Sequence, residues 1–318
     1  MFLFQNISAV DWLVWLLVIG ALIGLNELAR ANKWIALILF ILLPISLTLF
    51  LWPTTAGAGS STGTWFHWVK VYSALAGCLG FMAIRFIPKL QHNKWALAFP
   101  PLILSITILE AVTRDFQVTN LHGMIDGVFM NGGPWNVMNG IAGIINIITI
   151  SGWLGIVISK DHKKDMLWPD QIWPWIIAYD LWNFAYVYNC VGDHSFYAGA
   201  ALLISCTIPA FFIKRGAWLQ HRAQTLAFWM MFTMSYPTFV TNSSFAVQSS
   251  HSSAALMTVS AIALTANVAV LIYHLYRIIK FRRNPLKDDV YAGVGVHDEV
   301  LDETKLPKTS TKHASLDS

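Results

Sequence analysis

The sequence predicts an all-α fold, a polytopic bundle of transmembrane helices, and three observations carry that prediction. Of 318 residues, 56% are hydrophobic and only 12% charged, and the mean hydropathy is +0.54. Apolar stretches of about 18–22 residues recur along the chain, each matching the ~20 residues a helix needs to cross a hydrocarbon core of ~30 Å. The 15 tryptophans suit a chain with many crossings, because Trp collects at membrane–water interfaces. Backbone in lipid must satisfy its own hydrogen bonds, which leaves helices or a closed barrel. Runs this long and non-alternating specify helices.

Nine runs qualify, near residues 10–29, 34–52, 67–87, 95–113, 137–158, 171–190, 196–213, 223–241 and 254–276. Residues 1–9 contain no Lys or Arg and lead to no small-x-small cleavage pattern, so the first run is predicted to be a span and not a signal peptide. Nine spans with the amino terminus outside and the carboxyl terminus cytoplasmic place every Lys and Arg except Lys70 and Arg114 on the inner side. That satisfies the positive-inside rule at each loop, with Arg222 counted among the inner loop cations. Residues 1–276 thus form the transmembrane domain. Residues 277–318 open with a basic juxtamembrane cluster, and from Asn284 the chain is polar, of mixed charge and nearly free of aromatics, the composition of a disordered cytoplasmic tail. Of the outer loops, 53–66 is rich in Gly, Ser and Thr and reads as flexible or re-entrant. Residues 114–136 read as a short interfacial helix followed by a Gly-Gly-Pro turn.

Several function classes are excluded. The net charge of +4 is scattered between apolar runs and forms no nucleic-acid footprint. Cys78, Cys190 and Cys206 give neither a disulfide framework nor a zinc pattern and read as small buried hydrophobes. No G-x-S-x-G, Walker or H-E-x-x-H pattern occurs, so no cofactor and no metal is predicted. The partners implied are the lipid bilayer and a small polar solute or ion.

The candidate site centres on the run from Trp168 to His194. An ionisable residue at membrane depth is expensive and is a functional hypothesis by default; Asp180 falls near the middle of this span. At 100° per residue, Asp180, Asn183, Val187 and His194 lie within about 60° of one another, with Tyr186 and Cys190 on a flank. Span four ends with Glu110, Arg114 and Asp115, and Glu110–Arg114 has the favourable i, i+4 order for an ion pair. Lys70, without a local partner, can snorkel outward or meet Asp180, Glu110 or Asp115 across the bundle. In span five, Asn139, Gly143 and Asn146 share a face of the kind that packs membrane helices closely, as does Gly20-x-x-x-Gly24 in span one. Pro44, Pro100, Pro101, Pro209 and Pro237 each interrupt a span and free a carbonyl, a device tolerated beside neighbouring helices or a cavity.

These features predict an outward-facing polar cavity lined by spans three to six, in a secondary transporter or permease of the plasma membrane. Asp180 would take up the coupling proton or cation, Asn183, Tyr186 and Asn146 would contact solute, and Lys70 and Arg114 would tune Asp180 or guide an anion. One alternative is a membrane-embedded enzyme for lipid head groups, with a zinc site drawn from His67, His122, His194, His251 and Asp126 or Asp193, although none has ligand spacing. The other is a non-catalytic subunit or sensor that uses the polar stripe for packing.

Overall fold

The computed structural model describes residues 2–125, 127–302 and 304. Its principal helices are α1 (Ala9–Ala31), α2 (Lys33–Phe50), α3 (Trp65–Phe86), α4 (Lys94–Val118), α5 (Pro134–Ile148), α6 (Trp173–Cys190), α7 (Gly192–Phe212), α8 (Trp218–Ser235), α9 (Ser253–Phe281) and the short α10 (Gly295–Asp302). Among the described residues, six of them, α1, α2, α3, α4, α7 and α9, are long and apolar enough to cross a membrane. Helix α5 has only 15 residues, and α8 buries Gln220, His221, Arg222, Gln224 and Thr225.

Local chemistry sets the boundaries. At the start of α1, Asp11 Oδ2 accepts the Ser8 N–H at 2.8 Å while Ser8 Oγ accepts the Asp11 N–H, a reciprocal cap of two donors the helix cannot use. Asn93 caps α4 by accepting from the N–H groups of Trp95 and Ala96. Pro44 has no N–H to offer the carbonyl of Phe40 and clashes with it, and α2 widens into a π turn at Ile38–Leu42. Helix α7 opens irregularly, with a 3-10 turn (Gly192–His194) and a π turn (Ser195–Ala201) before its regular α segment.

The helices pack in two groups. In one, α6 lies against α4, α5 and α9; in the other, α8 lies against α1, α3 and α7, with α2 on the outside. Contacts of α3 with α4 and of α6 with α7 join them. Gly143 shows why small residues belong in the first group. A Cβ there would lie 2.4 Å from Val112 Cγ2 and 2.7 Å from Trp182 Nε1, so α4, α5 and α6 meet only because that side chain is missing. Gly20 and Gly24 do not act this way, since a Cβ at either would meet nothing within 4 Å.

Three regions depart from the sequence expectation. Helix α5 ends at Ile148, short of the predicted 158, because Gly152 takes φ +63° and the chain turns into β3 (Val157–Ile158), paired antiparallel with β4 (Met166–Leu167). The predicted interfacial helix is a hairpin, β1 (His122–Ile125) with β2 (Val128–Asn131), in the register His122↔Asn131. Its Asp126-Gly127 sequence is a strong hairpin signal, and Gly127 has φ +74°; Asp126 itself lies outside the described residues. Finally, residues 285–302, expected to be disordered, fold back on the bundle. Asp170 accepts the N–H groups of Val290 (3.0 Å) and Tyr291 (2.7 Å) and the hydroxyl of Ser151, while the Arg277 and Arg283 guanidinia donate to the Ala292 carbonyl. This segment is held by backbone capture and by burial of Val290, Tyr291 and Val300 against the bundle. Residues 305–318 of the predicted tail lie outside the described residues.

Beside the base of α8, one carboxylate ties the loop of β3 and β4 to three helices. Asp165, fully buried, accepts from Arg30 Nε and Nη2 (3.0 and 2.8 Å) and from Gln220 Nε2 (2.8 Å). Arg85 Nη2 lies 3.8 Å away and donates to the carbonyls of Lys163 and Arg30. Glu27 pairs with both Arg30 and Lys163. Burial alone would push the Asp165 carboxyl up; the bond and charge of Arg30, the charge of Arg85 and the bond of Gln220 outweigh it and hold it at about 2.

Two predictions follow from this end of the molecule. Replacing Asp165 with Asn leaves two buried guanidinia facing a neutral amide, and removing one partner of such a cluster costs roughly 3–5 kcal/mol; the melting temperature in detergent should fall accordingly. The Asp165 contribution should be complete above its ordinary pKa of 3.8 and fade only as pH falls towards about 2. His297 behaves oppositely. Burial lowers its pKa, but bonds to Asp289 and Asp298 more than compensate and raise it above 6.5. Its contribution to docking residues 285–302 is therefore full below 6.5 and lost as pH rises through the higher folded value. Hydrogen exchange at Val290 and Tyr291 should speed up on going from pH 6 to pH 9 beyond the intrinsic rate change, and His297→Gln should remove that excess.

Candidate functional site

Between the two helix groups runs a slot lined by α3, α4, α6, α7 and α8. It offers about 90 Å³ to the centres of water-sized molecules, several times the ~10–15 Å³ that one water needs. Its α8 wall runs from Leu219 to Thr233, roughly 21 Å at 1.5 Å per residue. Most of the lining is apolar and aromatic, including Phe66, Phe81, Leu104, Trp229 and Met230, so the expected polar cavity is instead an apolar slot with a few polar groups. Spans seven and eight line it, and the expected span five does not.

The polar groups sit at graded positions. His67 and His194 stand near one end, their rings 5.9 Å apart; His67 Nδ1 shares a 2.8 Å hydrogen bond with Thr64 Oγ1, and His194 Nε2 is buried without a partner. Farther along, Lys70 Nζ donates to Glu110 Oε2 (2.9 Å) and to the Thr107 carbonyl (3.0 Å). Tyr186 presents a buried hydroxyl that has no partner. At the far end Arg222 Nη2 donates to Asn183 Oδ1 (3.1 Å). Two residues before Arg222, Gln220 donates to Asp165, so the charged lattice lies directly beyond this end of the slot.

Four of the residues singled out from sequence, Lys70, Asn183, Tyr186 and His194, therefore line one slot, and Glu110 reaches it through Lys70. The others stand apart. Asp180 turns towards α7, where Thr207 Oγ1 donates to its Oδ2 at 2.6 Å. Asn146 is fully buried in α5 with both side-chain polar atoms unpartnered, away from the lining. The expected Glu110–Arg114 pair is not made, because Glu110 takes Lys70 across the helix interface and Arg114 Nη2 reaches the Met130 sulfur at 3.8 Å. Asp115 is fully buried and accepts from Asn136 (3.1 Å) and Asn139 (2.7 Å), with the Cys190 thiol at 3.4 Å. That bonding joins α4, α5 and α6.

Arg222 is the residue that the sequence reading misplaces. Counted there as a loop cation, it is in the second turn of α8 and only 6% exposed. The signal was present, since Leu219, Ala223, Leu226 and Met230 form an i, i+4, i+7, i+11 stripe that begins before residue 223.

Among the described residues the outer histidines do not assemble a metal centre. His251 Nε2 pairs with Asp193 Oδ1 at 3.0 Å, and His122 is exposed on the hairpin. Among the described residues, one group comes close enough to share an ion, Asp170, Asp289 and His297. Asp170 in that group already accepts from Ser151, Val290 and Tyr291.

The chain belongs to a family of unknown function, DUF5692, whose model matches residues 5–303. Comparison with curated proteins and with solved structures gives no match.

The Lys70–Glu110 pair yields a test of the slot's electrostatics. Glu110→Gln should leave the ammonium without its counter-ion and cost roughly 3–5 kcal/mol, seen as a lower melting temperature. Lys70→Met combined with Glu110→Gln should recover most of that loss, while Arg114→Gln should stay within about 0.5 kcal/mol of wild type.

Proposed function

We propose that this protein is a secondary transporter or permease of the plasma membrane that carries a small polar or charged solute, coupled to protons. The observation that carries the reading is the slot between two helix groups, together with the buried polar atoms at its walls. Among the described residues, Tyr186 Oη, His194 Nε2, and Arg222 Nε and Nη1 have no hydrogen-bond partner. Buried polar groups in a packing core are nearly always satisfied. A run of unsatisfied ones along a cavity is what a site built for a visiting solute presents.

The helices suit movement. Pro100 and Pro101 interrupt α4, Pro209 interrupts α7, and the π turn of α7 follows directly on His194. Such breaks cluster where helices line cavities or shift. In this mechanism nine helices cross the bilayer with the amino terminus outside, and α5, α6 and α8 can be shorter or more polar because other helices surround them. The slot opens towards the outside near His67 and His194. Its inner end is closed by Asp165 holding Arg30, Arg85 and Gln220, and that lattice must rearrange for the solute to leave. Asp180 has one oxygen bound by Thr207 and the other buried and unpartnered, which makes it the proton site.

Reconstitution into proteoliposomes tests the proposal. An imposed proton gradient should drive solute uptake by wild type. Asp180→Asn should fold, retain exchange of solute across the membrane, and lose dependence on the gradient. Uptake by that variant with undiminished proton coupling would remove Asp180 from the mechanism.

A further inference from the structure

The charge balance of the slot points to the class of solute, an inference that rests on reading the slot as the solute site. Lys70 is neutralised by Glu110. Arg222 is not neutralised in this way. Among the described residues no carboxylate lies within ion-pair distance of it, and the groups that answer it are neutral, the amide oxygen of Asn183, which accepts from Nη2, and the side chain of Tyr179. The nearest acid along α6, Asp180, is engaged by Thr207 and acts on Arg222 only at longer range. A guanidinium cannot shed its proton in a protein, so this site cannot remove its charge by titration. A buried charge is costly unless it is paired and hydrogen-bonded. The described residues therefore leave this charge for a ligand to pair.

We infer that the slot binds a small organic anion, a carboxylate carrying an apolar body, with the carboxylate held at Arg222. Guanidinium and carboxylate match in geometry as well as in charge, and Asn183 fixes the guanidinium from one side. The body of the ligand extends along Phe81, Leu104, Trp229 and Met230, walls that offer dispersion contact and no water-like partner. A fully polar anion would forfeit that contact, and a cation would meet Arg222 directly. The Tyr186 hydroxyl, farther along, is a further donor for the ligand or for a water that travels with it.

The test uses full-length protein in detergent and follows melting temperature against concentration of butyrate and benzoate. Butylammonium, benzylammonium and inorganic phosphate at matched ionic strength serve as comparisons. A ligand that binds only the folded state raises the melting temperature by mass action. The carboxylates should do so and the three comparison ions should not. Arg222→Lys should weaken carboxylate binding by about tenfold or more, because charge-assisted hydrogen bonds are lost with the fork. Tyr186→Phe, which preserves ring and packing, should weaken it several-fold and provides a readout if the arginine variant folds poorly. Equal shifts with the ammonium ions, a shift with phosphate alone, no shift with either carboxylate, or wild-type affinity in both variants would each overturn the inference. Flux measurements separate this from the broader proposal. Carboxylate binding without transport of any solute would sink the transporter reading and leave the anion site standing. Transport of a cation or neutral solute, with no carboxylate binding, would do the reverse.

Discussion

The buried carboxylate of Asp165 is the constraint on which one whole end of the molecule depends. It faces two guanidinia, Arg30 from α1 and Arg85 from α3, and the amide of Gln220 from α8. None of these groups is more than slightly exposed. Desolvating such a set is expensive, and a buried ion pair is seldom a net gain over well-packed apolar residues. Its value is positional. Arg85 also donates to the carbonyls of Lys163 and Lys164, so the loop between β3 and β4 is registered against the helix ends and not merely laid over them. Glu27 and Lys163 extend the pattern with opposite charges, leaving no member of the lattice to face an apolar wall alone.

Set beside that lattice, Arg222 shows the opposite treatment of a buried cation. It is one residue past His221 and two past Gln220, on the same helix, yet it points into a slot where, among the described residues, the neutral Asn183 oxygen and Tyr179 side chain answer it. The difference is not one of burial, since Arg30 and Arg222 are both largely shielded from solvent. What differs is whether the protein supplies the counter-charge. Where it does, the result is a fixed joint; where it does not, the free energy of pairing remains available to something that arrives. The two arrangements stand next to each other, with Gln220 in the joint and Arg222 in the slot two residues apart on α8.

The helical membrane class was legible because it follows from hydropathy and length, and these are properties of single segments. The close packing at Gly143 and the convergence of Asn183, Tyr186 and His194 were legible too, since helical periodicity alone aligns a stripe along α6 and into the turn after it. The partner of Lys70 was not decided, because the choice between Glu110, Asp115 and Asp180 depends on how α3 and α4 cross. The hairpin at 122–131 stands where an interfacial helix was expected, although the Asp126-Gly127 dipeptide is a hairpin signal. The docking of residues 285–302 was hidden for a different reason. Asp170 grips backbone N–H groups, which every residue but proline carries, and the buried anchors Val290, Tyr291 and Val300 are too few and too far apart to stand out in a polar stretch.

Arg222 and α8 carry the more general lesson. A helix surrounded by other helices need not be apolar, because its surroundings are protein and not lipid. Buried glutamines, a histidine and an arginine in α8 lower its hydropathy, and rules tuned to lipid-facing segments then trim it or assign its first turn to a loop. The positive-inside rule compounds the error by welcoming any cation near a span end. Trimming removes part of the polar face of an enclosed helix. The shortfall of apolar residues in α6 and α8, together with an aliphatic stripe that continues past the trimmed end, is therefore itself a sequence signal for where a polar site lies.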